Sequence, residues 1–239
     1  MSIIEQKGRD VSRPFLEAIG RTLARWNVSP DWVTLVGLFL TIGVGVLAAM
    51  GEFLWAGLVY VFAAVCDAID GTLARVSGRG SRFGAFLDST IDRFEESIVL
   101  LGLSVYYARV GGQWEIPLIL VVAVGSLMVS YTRARAEAVG VACKVGFMTR
   151  PPRVFVMIVG LLLNQVFIAL ILLAVTSLYT ALHRVYHVWR LTGGEDGGWA
   201  PAKEPFEVPG PPDPVPGEAS EPVGTTHPEP AKEEDAADQ

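Results

Sequence analysis

Six apolar runs, most of them about as long as the ~20 residues a helix needs to cross a hydrocarbon core, leave this chain few folds to choose from. They cover Trp32–Met50, Phe53–Arg75, Gly84–Ala108, Glu115–Ala138, Pro151–Leu163 and Val166–Arg190. Several of the turns between them are short, such as Gly51-Glu52 and Asn164-Gln165. Lipid offers no partner to backbone N–H and C=O groups, so runs of this kind cross as helices. The fifth, the shortest, is also consistent with an earlier start or a re-entrant segment. Ahead of them, residues 12–26 ("SRPFLEAIGRTLARW") read as an amphipathic helix. Ser12 can cap it, Pro14 suits its first turn, and Phe15, Ile19, Leu23 and Trp26 fall on one face. Such a helix lies in the membrane interface or packs on its own protein. The expected fold is all-α and integral to the membrane: six transmembrane helices, an N-terminal interfacial helix and a disordered C-terminal tail.

Composition and charge refine this. With 51% hydrophobic residues, the chain is too apolar for an ordinary soluble domain. Its net charge of −6 hides an asymmetry. Residues 1–190, read as the membrane domain, hold 17 Lys+Arg against 13 Asp+Glu, or +4. Residues 191–239 hold 12 acids, two lysines and 10 of the 15 prolines, or −10, and are expected to be a solvated, disordered appendage. Six spans place 16 of the 17 basic residues of the membrane domain on the side of the N-terminus and only Arg109 on the other. The positive-inside rule then makes both termini cytoplasmic in a multi-pass protein of the cell membrane. No cleavable leader is expected, since the first long apolar run begins near Trp32. Cys66 and Cys143 lack metal-ligand spacing, and no nucleic-acid partner is expected.

One stretch breaks the apolar pattern. "CDAIDGTLARVSGRGSRFGAFLDSTIDR" places Asp67, Asp70, Asp88 and Asp92 at the facing ends of two runs. Asp67 and Asp70 are three apart and Asp88 and Asp92 four apart, so each pair shares a helix face. The short loop between the runs brings the four carboxylates together, where they repel unless protonated, salt-bridged or bound to a cation. Oxygen-only ligation favours Mg²⁺ or Mn²⁺ over zinc, and four carboxylates can share two ions. Paired divalent ions suit phosphoryl chemistry. Gly71, Ala74 and Gly84 are small enough for close helix packing or for a ligand against backbone, and Arg75 can reach a phosphate. The other readings are a salt-bridge cluster with Arg75, Arg79 and Arg93, and a route for divalent cations through a transporter.

The pattern D-x-x-D-G-x-x-A-R-x8-G-x3-D-x3-D, met at every position from Asp67 to Asp92, resembles the signature of the CDP-alcohol phosphatidyltransferase family. The resemblance extends over about residues 8–190. It implies a membrane enzyme with two Mg²⁺ or Mn²⁺ ions that moves a phosphatidyl group from a CDP-lipid to an alcohol and releases CMP. It also implies a homodimer set among membrane lipids. By that likeness Asp67, Asp70 and Asp88 bind metal, and Asp92 is a ligand or the general base. Gly71, Ala74, Arg75 and Gly84 would line the nucleotide. "SPDWVT" is similar to another family element, which implies Asp31 and Thr34 near the nucleotide; helix capping is the other reading of both.

The second half bears on the acceptor. Ser130 and Arg133 end the fourth run, Arg150 and Arg153 open the fifth, and Arg184 closes the sixth. Several arginines on one side suit an acceptor already carrying phosphate; ordinary positive-inside placement is the alternative. "SYTRARAE" followed by "RPPR" resembles phosphatidylinositol-phosphate synthase-like members, although Pro152 stands where those show Glu. "LDSTIDR" differs from the "LDPxADK" of phosphatidylglycerophosphate synthases, whose acceptor is glycerol 3-phosphate. Inositol phosphate is the expected acceptor and glycerol 3-phosphate the alternative.

Overall fold

A computed structural model of the chain describes residues 18–26, 28–78, 81–143 and 145–193. Residues 12–17 of the expected interfacial helix, Arg79, Lys144 and the tail beyond Gly193 lie outside the described residues. All regular structure among the described residues is helical. Six long elements follow one another: α1 Pro30–Met50, α2 Phe53–Ser77, α3 Arg82–Val110, α4 Glu115–Ala138, α5 Arg150–Leu162 and α6 Val166–Gly193.

Local chemistry sets their ends. Pro30 occupies the first turn of α1, where its missing N–H costs nothing. Gly51 stops α1 in the left-handed region (φ 85°), its N–H donating to the Ala48 carbonyl at 3.0 Å. Ser81 caps α3 by accepting from the Gly84 N–H at 2.8 Å. That cap explains why α3 starts at Arg82 and not at Gly84, where the apolar run begins.

Four helices are long and apolar enough to cross a membrane: α1, α2, α4 and α6. The sequence reading expects six. The remaining two depart for different reasons. α3 has the length, but its first half carries Asp88, Asp92, Arg93, Glu95 and Glu96. α5 has 13 residues, about 20 Å at the rise of an α-helix and short of a ~30 Å hydrocarbon core.

α1 packs on α2 and α3, α4 packs on α6 and borders α3, and α5 bridges α2 to α6. Apolar side chains from all six meet in one core that includes Val44, Tyr60, Leu103, Val122, Leu161 and Leu170. Large apolar residues also cover the outside: Phe39 is 70% exposed and Leu182 68%. In water that would be a liability; in lipid it is the solvated face. Residues 18–25 form a helix whose Gly20 is buried against Thr72 and Leu73 near the end of α2. Ile19 and Leu23 are half-buried and Trp26 is exposed.

Gly45 of α1 packs directly against Gly102 of α3. A Cβ on Gly102 would stand 2.9 Å from the Gly45 Cα and nearer still to its carbonyl oxygen. Backbone cannot step aside as a side chain can, so only hydrogen fits. Small residues permit such contact, which compensates in a membrane for the absent hydrophobic drive between helices. Gly102→Val is expected to separate α1 from α3 and abolish recovery of monodisperse protein in detergent. Gly43→Ala, where an added Cβ meets nothing within 4 Å, should leave the elution profile and unfolding temperature unchanged or slightly raised.

Candidate functional site

α2 runs to Ser77 and α3 starts at Arg82, so their acids stand at the facing ends of consecutive helices. Oxygen atoms of Asp67, Asp70 and Asp88 all lie within 4.8 Å of one another. Asp67, Asp92 and Glu95 form a second such group, so Asp67 belongs to both. The span suits one hard ion, whose octahedral shell measures about 4 Å across. Among the described residues, no Lys or Arg lies within salt-bridge distance of Asp70 or Asp88. Buried and half-buried oxygen-only donors from two helices, two of them without a protein cation among the described residues, fit a divalent metal ion such as Mg²⁺ or Mn²⁺.

α1 forms the back wall. The Thr34 hydroxyl donates to Asp70 Oδ2 at 2.8 Å in a buried contact, which fixes that carboxylate. Asp31, in the first turn of α1, comes close to Gly84: a Cβ on Gly84 would sit 3.4 Å from Asp31 Oδ1. Gly71 differs, since a Cβ there would meet nothing within 4 Å. Its smallness opens space beside the acids and is not required by packing. Ala74 is half-buried. Arg75 folds back on its own helix, Nε donating to the Gly71 carbonyl at 3.0 Å and Nη2 to Thr72 Oγ1 at 3.2 Å.

The arginines of the second half occupy three environments. Arg150, the first residue of α5, reaches across to the acids. It donates to Asp67 and Glu95 and pairs with Asp92 Oδ1 at 2.7 Å. The other Asp92 oxygen accepts from Arg93 at 3.2 Å. Arg153 is buried and grips Glu96 with two bonds, 2.8 and 2.9 Å, while its Nη1 donates to the Met148 carbonyl at 3.0 Å. Arg184, equally buried, donates from Nε to the Val145 carbonyl at 3.0 Å and from Nη1 to that of Val129. Arg133 pairs with Glu137 at 2.9 Å on an exposed face, and Ser130 donates to the Ser126 carbonyl at 3.4 Å. Each of these side chains therefore has a partner within the protein.

Glu95 and Glu96 are absent from the sequence reading. The signal was present for Glu95: Asp88, Asp92 and Glu95 fall at i, i+4 and i+7, one stripe of a helix. Nothing local distinguishes Glu96, whose partner is 57 residues away.

A model of the CDP-alcohol phosphatidyltransferase family matches residues 27–184, which contain all of these acids and arginines. The chain belongs to that family. It is 36% identical over 174 residues to an archaetidylinositol phosphate synthase from Pyrococcus horikoshii, covering 72% of this chain and 89% of that one. Two crystal structures of a Mycobacterium tuberculosis phosphatidylinositol phosphate synthase share its fold at 32% identity. One, with CDP-DAG bound, has a TM-score of 0.67 and covers 73% of this chain and 93% of that one. The other, in complex with manganese and citrate, has a TM-score of 0.66 and covers 73% and 88%.

Arg153→Ala would strand the Glu96 carboxylate in the bundle. The expected cost is about 3–5 kcal/mol, read as a lower unfolding temperature in detergent. Pairing Arg153→Met with Glu96→Leu should restore most of that loss. An unchanged unfolding temperature for Arg153→Ala would contradict the structural weight of the pair.

Proposed function

We propose that this protein transfers a phosphatidyl-type group from a CDP-lipid such as CDP-diacylglycerol to a hydroxyl of a phosphorylated polar alcohol, most simply inositol phosphate, releasing CMP. The observation that carries the reading is the pair of carboxylate groups sharing Asp67, beside the open backbone at Gly71. The relatives support the substrates: they are named for inositol phosphate products, and one of them binds CDP-DAG.

In this reading Asp67, Asp70 and Asp88 hold one divalent ion, and Asp67 with Asp92 a second; Thr34 keeps Asp70 aimed. When bound, the two ions supply positive charge to the pyrophosphate and to the leaving oxygen. Gly71, Ala74 and Gly84 leave room for the nucleotide, with Asp31 at its edge and Arg75 free to turn from its own helix onto a phosphate. Asp92 takes the proton of the acceptor hydroxyl. The acceptor oxygen bonds to the β-phosphorus, the bond from that phosphorus to the CMP oxygen breaks, and CMP departs with the electron pair. Ser130, Arg133, Arg150, Arg153 and Arg184 are the acceptor-side groups, and of these Arg150 stands directly at the acids.

The reading includes a placement. Residues 1–190 form one membrane domain with six spans, in which α3 and α5 complete the set begun by the four more apolar helices. Residues 12–26 lie at the interface and 191–239 are a solvated tail. The acids face the cytoplasm, where the phosphorylated alcohol arrives, while the tails of the CDP-lipid stay in the bilayer. A homodimer is the assembly this reading carries.

Purified protein with CDP-diacylglycerol and Mg²⁺ is expected to release CMP with inositol phosphate and not with free inositol or serine. Turnover with glycerol 3-phosphate alone would keep the mechanism and replace the acceptor. Metal-dependent ion flux without CMP release would favour a cation transporter. EDTA should abolish turnover and Mn²⁺ or Mg²⁺ restore it. Asp92→Asn should lower turnover by about 10²–10⁴-fold with the unfolding temperature preserved; full activity in that variant would remove Asp92 from its role.

A further inference from the structure

Arg150 sits where a helix least favours a cation. The N-terminal turn of a helix carries partial positive charge from its unpaired N–H groups, and Arg150 opens α5 after a Thr149 that makes no side-chain cap bond. What holds the guanidinium there is the acids opposite: Nη1 pairs with Asp67 and with Asp92, and Nη2 with Glu95. Its Nε is buried without a partner, so α5 itself adds little to the hold. The chain that delivers it from α4 turns through Gly140 and Gly146, both at positive φ (78° and 95°).

Asp67, Asp92 and Glu95 are also the three acids that offer oxygens within 4.8 Å of one another for a cation. A guanidinium and a divalent ion cannot occupy the same oxygens. Like charges at that separation repel strongly, so the two compete for this one cluster of carboxylates. Both oxygens of Asp92 are engaged by cations here, Oδ1 by Arg150 and Oδ2 by Arg93.

We propose that Arg150 is an exchangeable counter-cation of Asp67, Asp92 and Glu95: it neutralises them while they hold no metal and is displaced when a divalent ion enters. Displacement presents the guanidinium to the phosphate of the acceptor. Metal entry therefore precedes productive acceptor binding. The inference rests on the reading of these acids as a metal site, and it adds Glu95 to the groups that govern that site.

The test uses the full chain in detergent without substrates. Wild-type protein is treated with phenylglyoxal in EDTA and in Mn²⁺, and adduct on Arg150 is read by peptide mass spectrometry. Several-fold more adduct in Mn²⁺ is expected. In parallel, Mn²⁺ is titrated calorimetrically into wild type, Arg150→Ala and Arg150→Lys. The weaker Mn²⁺ site is expected to tighten by about tenfold in Arg150→Ala, with Arg150→Lys between the two. Should Arg150→Ala fail to fold, the wild-type labelling decides alone. Equal labelling in both conditions, with Mn²⁺ bound, overturns the exchange and leaves the metal site standing. Absence of Mn²⁺ binding to wild type removes both.

Discussion

Carboxylates forced into a small volume are the constraint on which this structure turns. Asp67, Asp70, Asp88, Asp92 and Glu95 crowd the junction of two helices whose other ends are apolar. Most of them are half-buried or buried, so their repulsion is larger than at an ordinary surface. Compensating positive charge, from a cation or a bound proton, must stand among them for α2 and α3 to stay together. The chain supplies part of it through Arg150 and Arg93. Asp70 and Asp88 receive no such partner among the described residues, and these are the positions where a divalent ion is most needed. The chemistry of the family and the stability of the hairpin thus ask for the same thing.

The rest of the bundle divides around that junction. α1 serves as a wall for the acids: the Gly45–Gly102 contact draws it against α3, and Thr34 reaches from it to Asp70. α4 and α6 pack on each other and carry the buried Arg184. α5, the shortest of the six, links the halves. Its first turn sends Arg150 to the acids and Arg153 to Glu96. A change at the start of α5 is therefore felt both at the acid site and in the polar interior of the bundle. Its last turns are held by apolar packing, and its first turn by the two ion pairs.

Much of this was legible in the sequence because it depends on local spacing. Asp67 and Asp70, then Asp88 and Asp92, share faces by helical periodicity alone, and a short loop suffices to bring the pairs together. The bounds of α4 match the apolar run Glu115–Ala138, since turn residues precede it and arginines accumulate at its end. Small shifts elsewhere have local causes: α2 runs on to Ser77 until Gly78 turns it (φ 66°), and Ser81 starts α3 early. Hydropathy was less informative for α3, where a charged half and an apolar half average to an ambiguous helix. Tertiary pairing was not legible at all. Charge asymmetry groups Arg150, Arg153 and Arg184 on one expected side, but it cannot say that one meets the acids, one a glutamate and one only backbone carbonyls. Those choices follow from how α5 and α6 are placed across the bundle, and no pattern within either segment encodes that.

Anomalous scattering from Mn²⁺ in crystals of the protein tests the central claim most directly. The account predicts two peaks per chain, one among Asp67, Asp70 and Asp88 and a second between Asp67 and Asp92, with the Arg150 guanidinium moved off these acids. No peak at the junction of α2 and α3, or Arg150 still bridging Asp67 and Asp92 beside a filled second site, would contradict it.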